Sequence, residues 1–166
     1  MSENNKDLLD SLVSDWKKER PDLDASAMLI IGRILKLGKI LEKSANAALS
    51  SNNIYYTDLD VLATLRRSGT PYELTPKQLM QSVLITSGAM TALLDRLLKL
   101  ELIYRSPDPL DGRIKRAGLT KKGITVIDKA IEVRFKEADT SVGMLNEKER
   151  QLLSELLKKM TSYLDS

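Results

Sequence analysis

The sequence of 166 residues contains no cysteine and no histidine. Without thiols the chain cannot form a disulfide, a zinc–thiolate site or a thiol redox sensor, and without imidazole it lacks a histidine general base. No Gly-rich phosphate loop or cluster of metal ligands gathers the other polar residues into a catalytic arrangement. We therefore expect no enzyme activity, no catalytic residue, no metal site and no cofactor.

Long apolar runs are also missing. No stretch approaches the ~20 apolar residues that span a bilayer, and the N-terminus has no cationic start followed by an apolar run. No repeat, low-complexity tract or Pro/Gly-rich linker divides the chain. With 42% hydrophobic and 30% charged residues, residues 1–166 are expected to form one domain with a sizeable core, in the cytoplasm and without a membrane partner.

Basic charge is concentrated in one segment. Residues 66–122 carry 11 Lys and Arg against 5 Asp and Glu, whereas the rest of the chain carries 15 against 18. Such a concentration is typical of a nucleic-acid contact, because the phosphate backbone attracts cations. A chance cluster of solvated charge is the alternative.

The same segment begins with two short predicted helices. Thr75 can cap the first, which starts at Pro76, has Gln78 as its capping-box partner and ends near Gln81. A break over residues 82–85 precedes the second, which Thr86 can cap and which reaches about residue 100.

The second helix presents small and polar residues opposite an apolar stripe. The stripe consists of Met90, Leu93, Leu94, Leu97 and Leu98. The opposite face displays Ser87, Gly88, Thr91, Ala92, Asp95 and Arg96. Small residues at the start of a recognition helix let it enter the major groove, where hydroxyls hydrogen-bond base edges or phosphates. The alternative for Ser87 and Gly88 is an ordinary frayed helix start.

A basic hairpin follows the second helix. We expect a strand over Leu102–Arg105, a turn over 106–113 with Asp111-Gly112 at its tip, and a return strand over Ile114–Leu119. Its basic residues are Arg113, Lys115 and Arg116. An arginine on a projecting loop can enter the minor groove while its neighbours meet phosphates, although a solvated hairpin would have the same pattern.

Amphipathic helices are predicted on both sides of this segment. An early helix has its apolar side at Met28, Ile31, Ile34, Leu35, Leu37 and Leu41, and a further helix runs from Thr57 to Arg67. A helix over 123–142 has Ile124, Ile127, Ile131 and Phe135 on one side. The last helix begins at Asn146 and Glu149 and presents Leu152, Leu153, Leu156, Leu157, Met160 and Leu164. One core could absorb all these faces, or a second subunit could cover some of them.

The basic segment resembles the MarR family of bacterial transcriptional regulators through LTPKQL, TSGAMTALLDRL and LIYRSPDPLDGRIKRAGLTKKG. The likeness continues through WKKERPDLDASAMLIIGRI and DLDVLATLRRSGTPYELTP, and it favours the PecS and urate-responsive branch. It implies a mainly α fold with a small β-hairpin wing. The winged helix-turn-helix lobe would span 55–122, with dimerisation helices over 1–50 and 123–166. Two recognition helices of the homodimer would lie roughly 34 Å apart on a pseudopalindromic operator.

The resemblance also implies particular DNA contacts. Thr86, Ser87 and Thr91 would meet the major groove, and Arg113 the minor groove. Phosphate or supporting contacts would come from Lys77, Gln78 and Arg96. The family's wing signature corresponds to Asp111 and Arg113, but Gly112 stands where many relatives have another arginine. The wing tip thus has one charge fewer, which weakens binding without changing its mode.

An effector pocket is implied by the same branch, in which a Trp, an Asp and two Arg residues hold urate. The matching positions are Trp16, Asp60 and Arg105, but the second arginine is Leu93 here. Because a charge-assisted hydrogen bond contributes roughly 1.5–3 kcal/mol, the resemblance implies an apolar or phenolic aromatic effector rather than urate, or no effector. The alternatives are structural: Trp16 as a core anchor, Asp60 as the capping-box partner of Thr57, and Arg105 as a surface strand residue.

Two functions are therefore open at this point. The first is a homodimeric, sequence-specific transcriptional regulator that binds double-stranded DNA, most simply a repressor that occludes a promoter. The second is a helical dimeric protein-interaction module with only nonspecific DNA affinity. The second would bind random DNA weakly and with a steep dependence on salt.

Overall fold

The computed structural model describes residues 7–83 and 87–166. The helices are α1 (Leu8–Glu19), α2 (Ala27–Leu49), α3 (Tyr56–Arg67), α4 (Pro76–Ser82), α5 (Ser87–Lys99), α6 (Lys121–Ser141) and α7 (Glu147–Leu164). The strands are β1 (Glu73–Leu74), β2 (Ile103–Pro107) and β3 (Lys115–Leu119). No helix within these two ranges is both long enough and apolar enough to cross a membrane. The mainly α fold with a small β wing, expected from the sequence, is confirmed.

The chain divides into two compact units, residues 7–44 and residues 45–166. In the first unit, Asp7 caps α1 by accepting hydrogen bonds from the backbone N–H groups of Leu9 and Asp10. Arg33 of α2 binds the carboxylates of Asp7 and Asp10 at 3.3 and 2.8 Å. These ion pairs connect the start of α1 to the N-terminal third of α2.

The second unit is built around α3, which buries 7 of its 12 residues. The core also contains Leu79 of α4 and, from α6, Ile127 and Ala130. From α5 it takes Met90, Leu93, Leu94 and Leu97. The apolar stripe predicted for the second short helix is thus confirmed. Because α6 contributes to this core, the packed lobe continues beyond residue 122.

The wing is a three-stranded antiparallel sheet in the order β1-β3-β2. Strands β2 and β3 pair from Ile103 opposite Leu119 to Pro107 opposite Lys115, so the predicted hairpin is confirmed. The return strand begins at Lys115 rather than Ile114, and the first strand extends beyond Arg105 to Pro107. The short strand β1, which pairs with β3, was not predicted.

Tyr104 holds the three strands together across Gly118. A Cβ atom at Gly118 would lie 2.6 Å from Cζ of Tyr104, so only glycine leaves room for this ring. The Tyr104 hydroxyl donates a hydrogen bond of 2.6 Å to the Glu73 carboxylate on β1. This hydrogen bond, together with burial, raises the pKa of the Tyr104 hydroxyl above 10.0. The tyrosine therefore joins both edge strands through the central one.

The first turn of α6 is joined to the base of the wing. Thr120 caps α6: its hydroxyl accepts from the Gly123 N–H at 2.9 Å and donates to the Glu101 carbonyl at 2.8 Å. The Thr120 N–H donates to the Leu102 carbonyl at 3.1 Å. A Cβ atom at Gly123 would overlap that same carbonyl oxygen. Glycine is therefore required where α6 crosses the start of β2.

Two of the predicted capping boxes are confirmed and one is wrong. Thr75 with Gln78 starts α4, and Asn146 with Glu149 starts α7. The third predicted box, Thr57 with Asp60, does not form. The N-cap residue of α3 is Tyr55, whose backbone N–H donates to the Asp58 carboxylate at 2.8 Å. Helix α3 therefore begins before Thr57, and Asp60 is not the capping partner.

Other predicted helix ends differ only slightly from the structure. The cap at Thr86 and the break at 84–85 lie outside the described residues. Helix α4 ends at Ser82, after which Val83 is extended, and α5 ends at Lys99. Helix α6 starts at Lys121, two residues before the predicted start, because Thr120 supplies the cap.

The terminal helices bury little within one chain. Neither α1 nor α7 contains a buried residue. The exposed large apolar residues of α7 are Leu152, Leu153, Leu156, Leu157, Tyr163 and Leu164. Trp16 of α1 is 57% exposed, so the interpretation that it anchors the core is wrong for the single chain.

Candidate nucleic-acid interface

The packed side of α5 determines which residues its other side presents. Because Met90, Leu94 and Leu97 are buried, residues at intervening helical positions point away from the core. The exposed residues are Ala89, Thr91, Ala92, Asp95 and Lys99. Thr86 is not described, and the side chains of Ser87 and Gly88 are not either. Of the predicted major-groove residues, Thr91 is therefore the one whose exposure the structure establishes.

Helix α4 presents Lys77 and Gln78 to solvent, while Leu79 is fully buried beneath them. Lys77 forms no ion pair with any described residue. The Gln78 side-chain oxygen accepts from the Thr75 N–H at 2.9 Å and from the Thr75 hydroxyl at 3.0 Å. The amide nitrogen of Gln78 remains available to donate to a phosphate, whereas its oxygen is already occupied by the cap.

Arg96 lies on α5, but its guanidinium binds a carboxylate inside the lobe. Asp58 of α3 has no exposed side-chain surface, and its oxygens lie 3.1 and 3.2 Å from Nε of Arg96. The guanidinium carbon stands 4.6 Å from the centre of the Tyr55 ring. The hydrogen bond to Asp58 raises the pKa of Arg96. Arg96 therefore makes a supporting contact inside the lobe, with Asp58 and the Tyr55 ring.

The loop between β2 and β3 is organised by Asp108. One of its carboxylate oxygens accepts from the N–H groups of Leu110 and Asp111 at 2.8 and 3.1 Å. The other accepts from Nε of Arg116 at 2.8 Å. The Arg116 bond, followed by these backbone bonds, lowers the pKa of Asp108 below 3.8. A single carboxylate therefore closes the loop on itself and holds Arg116 against its base.

The outer end of the loop presents Arg113. Its side chain is 92% exposed and forms a two-point contact with Asp111, at 3.0 and 3.1 Å. That contact lowers the pKa of Asp111 and raises the pKa of Arg113. Because both partners are solvated, the ion pair orients the guanidinium more than it stabilises the fold.

The remaining wing cations differ in their surroundings. Lys115 is exposed and forms no ion pair with a described residue. Arg116 is only 25% exposed and is bound to Asp108. The three basic residues predicted on the hairpin thus lie in the loop and at the adjoining start of β3, but they are not equivalent. Arg113 and Lys115 face solvent, whereas Arg116 supports the loop from inside.

The three predicted effector residues are divided between the two compact units. Asp60 of α3 and Arg105 of β2 make no side-chain hydrogen bond or ion pair with a described residue, and Trp16 belongs to the other compact unit. A depression of about 460 Å³ beside α5 is lined by Ala92, Asp95, Arg96, Lys99 and Leu100. None of the three predicted residues lines it. Leu93 is buried, which confirms its place on the apolar face.

Sequence reasoning missed Asp58, Tyr55 and Asp108. Asp58 is separated from Arg96 by 38 positions, so no local spacing pairs them. Asp108 precedes a proline in a turn-rich segment, and that pattern indicates a turn without revealing a bond to Arg116.

Comparison with known proteins places this geometry in a family. Residues 54–114 match the model of the MarR family. Over 153 residues the chain is 30% identical to the HTH-type transcriptional regulator PecS of Dickeya dadantii, covering 92% of each chain. Among solved structures, it superposes on the organohalide-sensing regulator RdhR in its 2,4-dichlorophenol-bound form with a TM-score of 0.76, at 22% identity and over 82% of this chain and 80% of that one.

A second solved structure contains DNA. A point mutant of Escherichia coli MarR complexed with operator DNA gives a TM-score of 0.72 at 24% identity, covering 93% of this chain and 99% of that chain. The shared fold includes helices α4 and α5 and the wing described above. From the extent and identity of the PecS match, together with the family model, this chain belongs to the MarR family of DNA-binding transcriptional regulators and is not an enzyme.

Proposed function

We propose that the chain acts as a homodimer that binds a pseudopalindromic operator and represses transcription in the bacterial cytoplasm. The observation that carries this proposal is that one packed lobe presents both the polar side of α5 and a wing whose Arg113 is 92% exposed. Helix α5 would lie in the major groove and the wing in the adjacent minor groove. A dimer bound across a promoter would exclude RNA polymerase.

The proposed DNA contacts fall into three groups: those to the major groove, those to the minor groove and those to phosphates. Thr86, Ser87, Gly88 and Thr91 would lie at the major groove, and Arg113 in the minor groove. Lys77, Gln78 and Lys115 would bind phosphates, while Arg116 keeps the loop closed through Asp108. Phosphate contacts position the protein and base contacts specify the sequence, so these groups should respond differently to mutation.

Dimerisation is supported by the apolar faces that one chain leaves uncovered. Helix α7 exposes six large apolar residues, and Leu35, Leu37 and Ile40 of α2 are exposed as well. Exposed apolar faces of this extent mark association surfaces. We expect sedimentation equilibrium at micromolar concentration to give twice the chain mass of 18.6 kDa. A species of 18.6 kDa alone would contradict the homodimer.

The experiment that tests operator recognition is selection of bound duplexes from a random DNA pool at near-physiological salt. We expect enrichment of an inverted repeat whose half-sites lie about one helical turn apart. Uniform retention that disappears with added salt would favour the protein-interaction alternative. A reporter gene placed behind the selected operator then tests repression, since an activator would raise its expression.

Three alanine variants test the division of contacts. Thr91→Ala should change the preferred bases, Arg113→Ala should weaken binding most where the minor groove is narrow, and Lys77→Ala should weaken binding to all sequences evenly. Lys129→Ala, an exposed lysine on α6, is the matched control and should leave all three properties unchanged. Equal losses on operator and random DNA for the first three variants would contradict the assignment.

An aromatic effector is part of the proposal, with Trp16, Asp60 and Arg105 as its candidate ligands. The buried Leu93 leaves no cation at that position for an anionic purine. We expect 2,4-dichlorophenol, the compound in the RdhR structure, to release operator DNA and urate to have no effect. Micromolar binding of urate in a calorimetric titration would show that Leu93 does not determine effector choice.

A further inference from the structure

One ion pair in the described part of the chain has a carboxylate with no exposed surface, and it joins the recognition helix to α3. Asp58 is fully buried, whereas every other paired carboxylate retains some exposed surface. Both of its oxygens face Nε of Arg96, and the terminal nitrogen of that residue lies 3.0 Å from one of them. The pairs Arg116–Asp108 and Arg134–Glu137 are also shielded, but their carboxylates keep 8% and 11% of their surface exposed. Among the ion pairs of the described residues, the Asp58 carboxylate is thus the most deeply buried.

The energy of such a pair depends steeply on geometry. A buried carboxylate that loses its cation is left unpaired in a medium of low polarity, and the cost greatly exceeds that of a broken surface pair. The apolar stripe of α5 holds the helix against the core, but hydrophobic burial is non-directional and tolerates small rotations. Arg96 supplies the directional restraint that this stripe lacks.

The fixed end of the restraint is the junction between α2 and α3. Asp58 also accepts from the Tyr55 N–H at 2.8 Å, and the next N–H, of Tyr56, donates to the Asn46 side chain of α2 at 2.8 Å. The Tyr55 ring lies against the Arg96 guanidinium. Arg96 is thus connected to the C-terminal part of α2 through Asp58 and the neighbouring residues Tyr55 and Tyr56.

We infer that Arg96 and Asp58 are positioning residues that set the rotation of α5 about its own axis, and that Arg96 is not a phosphate ligand. The inference rests on the proposed function and deepens it, because it states what keeps the recognition helix in the orientation that base recognition requires. A helix that rotates loses the match between its side chains and base edges, whereas attraction to phosphates depends little on rotation. Loss of the pair should therefore reduce specificity rather than general DNA affinity.

The test uses the full-length protein and the operator selected for it. The double variant Asp58→Asn/Arg96→Met removes both charges and leaves no unpaired buried ion, so it should fold; cooperative thermal melting checks this. We expect its operator affinity to fall at least about tenfold, its affinity for random DNA to change less than about twofold, and its salt dependence to match that of the original protein. The reference is Lys77→Ala, which should lower the salt slope by about 0.9.

A second variant separates the two roles of the arginine. Arg96→Lys keeps a cation that could bind phosphate but loses the planar fork that faces the carboxylate. We expect it to lose operator affinity as the double variant does. If Arg96→Lys binds normally, or if Arg96→Met lowers operator and random-DNA affinity together and reduces the salt slope by about 0.9, Arg96 is a phosphate ligand and the inference is wrong. Unchanged operator affinity in the double variant would also overturn it.

A measurement without DNA keeps this inference separate from the proposed function. In the double variant, backbone amides of residues 91–99 should exchange with deuterium faster than in the original protein, while the α4 amide of Leu79 should be unaffected. If the original protein selects no operator, the proposed function fails but the exchange result still tests the restraint. Unchanged exchange in α5 would show that the pair does not restrain that helix.

Discussion

Helices α3 and α7 are both amphipathic, but they differ in what covers their apolar sides. Helix α3 buries 7 of its 12 residues within the chain, whereas α7, with 18 residues, buries none. Both sequences contain apolar residues three or four positions apart, such as Leu59 and Leu62 in α3 and Leu153 and Leu156 in α7. That spacing predicts an apolar side but does not reveal whether it packs internally or against another molecule. The lobe around α3 should be stable by itself, while the contribution of α7 should depend on protein concentration.

The largest expected effect comes from shortening a core residue. Leu62 of α3 is fully buried, so Leu62→Ala should lower the free energy of unfolding by about 2–5 kcal/mol at any protein concentration. The matched change Leu156→Ala on α7, where the leucine is exposed, should instead weaken dimerisation. Chemical denaturation at two protein concentrations measures both. A concentration-independent loss of similar size for Leu156→Ala would remove the distinction between the two helices.

The next largest effect is expected where α6 meets the base of the wing. Gly123→Ala places a methyl group on the Leu102 carbonyl, and backbone must move to accept it. We expect a loss of about 1–3 kcal/mol in thermal or chemical unfolding. Gly112→Ala is the control, because a Cβ at Gly112 has no neighbour within 4 Å, and it should change stability by less than about 0.5 kcal/mol. Equal effects would mean that the crossing is looser than the structure indicates.

Removal of a helix cap should lower the free energy of unfolding by about 1 kcal/mol. Thr120 caps α6 in the lobe and Asn146 caps α7. Thr120→Ala should lower stability at all protein concentrations. Asn146→Ala should do so only where dimers form, because only then is α7 coupled to unfolding of the lobe. A concentration-independent effect of Asn146→Ala would show that α7 folds together with the lobe in the monomer.

The smallest effect concerns pH and is confined to the wing. The folded pKa of Asp108 lies below 3.8 because of Arg116 and the loop N–H groups. Its stabilising contribution is therefore complete above about pH 3.8 and disappears as the pH falls through the folded value. The NMR shift of the Leu110 N–H group, which donates to Asp108, should stay constant from pH 7 to 5 and change below 3.8, and Asp108→Asn should abolish that change. A transition centred above 3.8 would contradict the pKa direction.

The elements that the sequence predicted correctly are those with local causes. Thr75 with Gln78 and Asn146 with Glu149 act over three residues, and the stripe of α5 depends only on helical spacing. The sequence did not predict β1, because a strand of two residues exists only through pairing with β3, more than 40 positions later. The start of α3 was misplaced because the carboxylate that bonds the N-cap backbone belongs to Asp58 and not to Asp60.

In the candidate site, too, the sequence predicted the features with local causes and missed those that depend on distant residues. The exposure of Arg113 and Thr91 follows from turn chemistry and helix periodicity, both of which are readable from neighbouring residues. The internal role of Arg96 depends on Asp58 in another helix, and that of Arg116 on the approach of two strands. Sequence patterns place cations on an element, but only the fold determines which of them face the solvent.

The hydrogen bonds of Thr120 and the close approach at Gly123 leave no hinge between α6 and the wing. Helix α6 continues for 21 residues from this point, so a small tilt of its far end would move the tip of the wing through a proportionate arc. The depth at which Arg113 enters a minor groove would then depend on the inclination of a helix outside the proposed DNA contacts. On this geometry, α6 would act on the wing as a lever arm.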